Sequence, residues 1–175
     1  MLAQFAFAFL GFHADNGSEY VNHRVAKMLE KLRIEFTRSR PRRSNDNGLA
    51  ETKNGAVVRK LFGYEHIHQR HAVRFNISCL EYLNPFLNLH RPCLFATELA
   101  DPHKPARIKR VYRAKDVMTP LDKLASLPEA AKFLREGVTL KDLHALARAL
   151  TDVQAGEELN EALLALFRRV PARTG

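Results

Sequence analysis

The sequence predicts an α/β fold that passes into a mainly helical tail, and three observations carry that prediction. The unbroken apolar run Phe5 to Leu10, ending in Gly11, Phe12 and His13, reads as a strand covered on both faces. Val21, Val25, Met28, Leu29 and Leu32 then repeat at helical spacing behind the turn-and-cap cluster Asp15-Asn16-Gly17-Ser18. Ile34 and Phe36 alternate with Glu35 and Thr37 as a second, shorter strand. Strand, helix and strand in that order make a βαβ unit, for which right-handed parallel pairing is the rule.

A chain of 175 residues holds roughly one domain with a small appendage, so two large domains are excluded. Hydrophobic residues make up 46%, enough for a packed core. Lys and Arg number 28 against 19 Asp and Glu, a net charge of +9, and that excess favours a polyanionic partner, with nucleic acid first. Cys79 and Cys93 match neither a disulfide framework nor a zinc-site spacing, which suits a reducing cytosol. No apolar run approaches the ~20 residues of a membrane span, and Met1 to Phe12 lacks the basic start and cleavage site of a secretion signal.

After the second strand the chain turns polar. Arg38, Arg40, Arg42 and Arg43 surround Pro41 in an exposed basic loop that ends in Asn45-Asp46-Asn47. A helix from about Leu49 to Phe62 follows, with Ala50, Val57, Val58 and Leu61 as its apolar stripe and Gly63 as its stop. Another helix is expected from Ile67 to Leu83, before Pro85. His66, His68 and His71 have no Cys or carboxylate at ligand spacing and do not suggest zinc.

From Pro85 to Thr119 clean periodicity is lost and loop or short strands are expected. Lys104, Arg107, Lys109, Arg110, Arg113 and Lys115 form a basic run there, able to bind DNA or to act as a charged linker, with Tyr112 available for stacking. Beyond Pro120 the chain reads as helical over Pro128 to Arg135, then over the Leu140, Leu143, Leu146 and Leu150 stripe behind Thr139 and Asp142 at capping-box spacing, and last over Glu158 to Val170. The compositional break divides the chain into residues 1–84, a basic connector at 85–120 and a helical tail at 121–175.

Two carboxylates stand out by position. Asp15 closes the first strand, Glu51 lies in the first turn of the helix behind the basic loop, and thirty-five residues separate them. A strand end and a helix start brought together by βαβ wrapping can aim two oxygen ligands at one hard cation such as Mg²⁺. The same spacing also suits a solvated loop aspartate and a glutamate placed for the helix dipole.

The stretches His13-Ala14-Asp15-Asn16-Gly17-Ser18-Glu19-Tyr20-Val21-Asn22, Thr37-Arg38-Ser39-Arg40-Pro41 and Asn45-Asp46-Asn47-Gly48-Leu49-Ala50-Glu51-Thr52-Lys53-Asn54 resemble the integrase core of DDE transposases and retroviral-type integrases. The likeness runs from Phe5 to about Ile67, and Tyr112, Asp116 and Thr119-Pro120 are similar to the tail of insertion-sequence transposases. It implies an RNase H-like core over residues 1–84, in which two aspartates and a glutamate hold two Mg²⁺ (or Mn²⁺) ions for DNA cleavage and strand transfer. Asp15 and Glu51 take the positions of the second aspartate and the glutamate. Arg38, Arg40, Arg42, Arg43, Lys53 and Asn54 take DNA-contacting positions, and Lys27, Lys31 and Arg33 lie on the helix before the loop. The partners implied are transposon-end and target DNA and further copies of the chain, in the cytoplasm and without a membrane.

The family's first aspartate lies on an earlier strand, whereas residues 1–14 contain no Asp or Glu. The expectation is therefore a C-terminal transposase fragment that is inactive alone and carries a hydrophobic sheet edge at Phe5 to Leu10. The alternative is a non-catalytic DNA-binding or oligomerising remnant.

Overall fold

The computed structural model describes residues 5–14, 23–40, 46, 48–101 and 104–168, with the side chains of residues 49, 50, 53, 101 and 104–107 outside that description. It is a mixed helix-and-sheet structure of two compact units. One comprises residues 8–68, the other residues 5–7 with 69–168. The division falls after His68, earlier than the compositional break at residue 84.

The first unit is built on the expected βαβ element. Strand β1 (Gly11–Ala14) pairs in parallel with β2 (Glu35–Arg38), Gly11 opposite Glu35 and Ala14 opposite Arg38. Helix α1 (His23–Lys31) connects them and buries Leu29. Of its apolar stripe, Met28 and Leu32 remain exposed. The helix ends in a Schellman turn: the Ile34 amide donates to Leu29 O and the Arg33 amide to Glu30 O. Arg33 takes the left-handed conformation (φ 54°) that this turn requires. Leu29 and Ile34, the pair between which the motif places its apolar contact, are both buried.

The first strand is displaced from its expected position. Residues 8–10 are exposed and precede β1, with Leu10 62% accessible, so the apolar run is not a doubly covered strand. Phe5 to Phe7 belong instead to the other unit, where Phe7 forms an antiparallel bridge with Leu134 and the Arg135 amide donates to Ala6 O. The hydrophobic edge expected at Phe5 to Leu10 is thus corrected: the run is divided between two units.

Beyond the basic loop, α2 (Gly48–Lys53) widens into i→i+5 turns over Asn54–Arg59 and closes as α3 (Lys60–Phe62). Gly63, at φ 77°, stops it as expected, because this backbone conformation suits a residue without a Cβ.

The second unit contains most of the buried apolar side chains among the described residues. Helix α4 (Ala72–Ser78) runs on through wide turns at Cys79–Leu83 and Phe86–His90, so the helical path crosses Pro85 instead of stopping before it. The local switch explains the crossing. Proline offers no N–H and its ring would strike the carbonyl four residues back, while i→i+5 bonding from Asn84 to Cys79 O and from Arg91 to Phe86 O loosens the helix on either side. Asn88 donates its side-chain amide to Asn84 O at 2.7 Å, providing a local partner for that carbonyl.

Of the loop or short strands expected from Pro85 to Thr119, the described residues from Cys93 to Met118 form strands, longer than expected. These are a long antiparallel hairpin of β3 (Cys93–Asp101) and β4 (Lys104–Met118). Helices α5 (Pro120–Ala125), α6 (Leu140–Ala149) and α7 (Asp152–Arg168) follow. The expected helix at Pro128 to Arg135 is reduced to a single tight turn, Ala130–Phe133.

Each of the three closing helices starts at a threonine. Asp122 and Asp142 donate their amides to Thr119 and Thr139 Oγ1 at 3.1 Å, and each carboxylate accepts the hydroxyl in return. Thr151 and Gln154 form a reciprocal box, which starts α7 six residues before the expected Glu158. Ala155, Leu159, Leu163 and Leu166 form its buried stripe, Leu121 is 1% accessible, the most enclosed side chain among the described residues, and Phe75 meets Phe167 edge-on at 5.9 Å. His90, almost fully buried, hydrogen-bonds Asp152 Oδ1 at 3.1 Å.

Gly156 lies within α7, and a Cβ added there would meet Phe86 Cε2 at 3.6 Å, an ordinary contact. Glycine inside a helix costs about 0.5–1 kcal/mol relative to alanine. Gly156→Ala should therefore raise stability by about that amount in urea denaturation of the whole chain, and a loss of stability would show that helix and Phe86 approach more tightly than this distance.

Candidate functional site at the sheet edge

The parallel pairing directs both strands of the first unit toward one edge, their C-terminal end. Ala14, buried, is the residue before Asp15, and opposite it Arg38 opens the basic loop. Backbone hydrogen bonds extend the ladder at both ends, from Glu35 N to Leu10 O at 3.0 Å and from Ser39 N to Ala14 O at 3.1 Å. Phe12 and Phe36 face each other on one side of the pair, with ring centroids 6.0 Å apart.

His13 occupies the other side. Its Nδ1 lies 2.9 Å from Thr37 Oγ1 and its Nε2 3.1 Å from Ser39 Oγ, and Ser39 is buried. A neutral imidazole has one donor and one acceptor nitrogen, and a hydroxyl can serve either, so both bonds form in either tautomer. The ring thereby clamps the ends of both strands. His13 stands two residues before Asp15 in the sequence, while Thr37 and Ser39 have short hydroxyl side chains that carry no pattern of their own.

The basic loop is internally tied. Arg40 makes a two-pronged ion pair with Asp46, from Nη2 to Oδ1 at 2.8 Å and from Nε to Oδ2 at 2.9 Å, and its backbone amide donates to the same Oδ2 at 3.0 Å. The Arg40 side-chain hydrogen bonds, followed by that from its backbone amide, hold the Asp46 carboxyl far below the ordinary carboxylate range, and the charge of nearby His13 adds a smaller effect. Asp46, in the Asn45-Asp46-Asn47 stretch that ends the loop, stands six residues after Arg40.

Arg40, expected among the DNA-contacting residues, has its fork engaged by the Asp46 carboxylate. Arg38 and Asn54 are exposed, and Glu51 is exposed in the first turn of α2, where Thr52 donates its hydroxyl to Gly48 O at 2.7 Å. Asp15, Arg42 and Arg43 and the side chain of Lys53 lie outside the described residues. Among the described residues no group of three or more His, Cys, Asp and Glu side chains gathers at metal-binding distance. Glu51 supplies an oxygen donor of the kind a hard cation takes. In the second unit a groove of ≈ 320 Å³ is lined by Arg74, Ile77, Ser78, Tyr82 and Leu166 among others, none of them a residue singled out from the sequence for chemistry.

No protein-family profile matches the chain, and no solved structure matches it. Over 60 residues it is 45% identical to the uncharacterized protein y4rM of Sinorhizobium fredii, a stretch that is 34% of this chain. The match spans 17% of that protein's length. No described helix is long and apolar enough to cross a membrane.

The Arg40–Asp46 tie has a pH signature with a definite sign. A carboxyl whose folded value lies below its unfolded value of about 4 stabilises the fold fully above that unfolded value, and the contribution is lost as pH falls through the folded one. The stability difference between the native chain and Asp46→Asn should be constant from about pH 7 to 5 and shrink toward about pH 2 in urea titrations. A difference independent of pH over that window would show that the carboxylate charge has no part in closing the loop.

Proposed function

We propose that this chain carries the aspartate–glutamate part of a DDE-type transposase or integrase site, Asp15 and Glu51, within an RNase H-like core acting on DNA in the cytoplasm. The observation that carries this reading is the parallel β1–β2 register. It brings the residue before Asp15 and the start of the basic loop to one sheet edge, with Glu51 in the first turn of the helix that follows. The motif stretches around residues 13–22, 37–41 and 45–54 agree with that placement.

The residues act in distinct ways on this reading. Asp15 and Glu51 hold Mg²⁺ or Mn²⁺, which when bound stabilises the attacking and leaving oxygens of an in-line displacement at phosphorus. Arg38, Arg42, Arg43, Lys53 and Asn54 hold the DNA backbone beside them. His13 fixes the strand ends and thereby the exit direction of the chain toward Asp15, and the Arg40–Asp46 pair sets the span of the loop. The third carboxylate of the family triad is not among residues 1–14. On this reading the partners are transposon-end and target DNA and further copies of the chain.

Paramagnetic Mn²⁺ tests the shared metal site directly. The amide signals of Ala14 and Thr52 should broaden together on titration, and Asp15→Asn or Glu51→Gln should each remove the broadening at both positions. Broadening near one residue that ignores substitution of the other would sink the transposase reading. Salt-sensitive DNA binding unchanged by either substitution, with no metal effect, would leave a binding module in its place.

A further inference from the structure

The β3–β4 hairpin is a two-stranded ribbon about 30 Å long at the usual rise per residue. Such a ribbon is marginal in water without a partner or a packed face, yet Ile108 and Tyr112 on β4 are 62% and 60% accessible. They flank Arg110 on one face, opposite Ala100, Glu98 and Ala96. That face presents Ile108 above Ala100 and Tyr112 above Ala96, with the Arg110–Glu98 pair between them.

Six basic residues stand in the hairpin against three acidic ones, Glu98, Asp101 and Asp116. Glu98 pairs with Arg110 at 3.2 Å, and Asp116 accepts the Thr97 hydroxyl at 3.0 Å. Lys109, Arg113 and Lys115 are exposed and form no ion pair among the described residues. Their placement follows from the register. Leu94 pairs with Val117 and Ala96 with Tyr112, so Phe95 alone stands opposite Arg113-Ala114-Lys115-Asp116. Such a bulge re-aims its side chains. Asp116 pins it to β3, while Lys123 over the Phe95 ring at 5.7 Å anchors its base.

We propose that this hairpin is a duplex-DNA contact of the chain, a cationic ribbon that lies in the major groove with Lys109, Arg113 and Lys115 directed to phosphates and the Ile108–Tyr112 face toward the base edges. The major groove, about 12 Å wide, admits a two-stranded ribbon, whereas the deep, narrow major groove of an RNA duplex does not. Charge decides the occupant: a second hairpin laid alongside would bring like charges together, while a phosphate backbone complements them. The inference does not depend on metal chemistry at Asp15 and Glu51, so it is measured as equilibrium binding in metal-free buffer.

The full chain should bind a 30-base-pair DNA duplex more tightly than single-stranded DNA or RNA duplex of the same sequence. The triple variant K109Q/R113Q/K115Q should bind at least about tenfold more weakly at 0.1 M salt, and its salt slope should fall by about 2–3. Tyr112→Ser should weaken binding while leaving that slope intact. The variant K141Q/R148Q/R168Q, with the same loss of charge on exposed helical positions, should bind nearly as the native chain does. Equal losses in the two triple variants, equal affinity for single strands, or a change in oligomeric state without a change in DNA affinity would each overturn the assignment. Circular dichroism of each variant verifies that the fold is retained.

Discussion

The parallel register between Gly11–Ala14 and Glu35–Arg38 is the constraint on which the geometry of the first unit depends. Four residue pairs are few, and parallel ladders are slightly weaker per residue than antiparallel ones. Side chains fix what the backbone alone would leave loose. A slip of one residue would separate Phe12 from Phe36 and carry His13 away from Thr37 and Ser39, so both faces oppose it. The left-handed Arg33 contributes from the other end by turning the chain out of α1 directly into β2. A non-glycine residue in that conformation persists only where its surroundings demand it, and here two backbone hydrogen bonds and the burial of Leu29 and Ile34 supply the demand.

The second unit is organised differently, by helix packing around α7. The wide turns on both sides of Pro85 keep the chain from Ala72 to His90 helical, so that Phe75, Leu83 and His90 are buried along one continuous path. A break at Pro85 would have separated Leu83 from His90 and detached His90 from Asp152. Gly156 of α7 lies beside Phe86 in this same region, with room for a Cβ at ordinary contact distance from the ring.

How legible all this was in the sequence varies with the physical signal. The βαβ order, the Gly63 stop and the Thr139 cap were readable because each has a local cause: a period of apolar residues, a left-handed backbone, a hydroxyl three residues before a carboxylate. The Thr151–Gln154 box has the same logic and was simply a less familiar form of it. The apolar run at Phe5 misled because composition does not reveal that Phe7 pairs with Leu134, more than a hundred residues away. The hairpin was hidden for another reason. Alternation of apolar and polar residues records burial on one face, and in this ribbon apolar Leu94, Leu99, Ile108, Tyr112 and Val117 are exposed beside the charged residues, which blurs that record. At the candidate site, Glu51 and the basic loop were legible as residue types, but the closing of the loop by Asp46 was not, since an ion pair across six residues leaves no periodicity.

Net charge is a sum, and the structure separates its parts. The loop arginines and the hairpin cations count equally toward +9, yet Arg40 is held in a two-pronged ion pair whose carboxylate cancels its field at short range. An exposed pair of this kind adds little stability because water screens it, but it does lock the guanidinium into one geometry. Lys109, Arg113 and Lys115 have no such partner among the described residues, and the bulge of β4 displaces two of them from the regular ladder. A polyanion responds to cations that remain unneutralised at the surface it touches. On that criterion the hairpin, with three cations outside any ion pair among the described residues, fits the proposed phosphate contact better than Arg40, whose charge is met by Asp46.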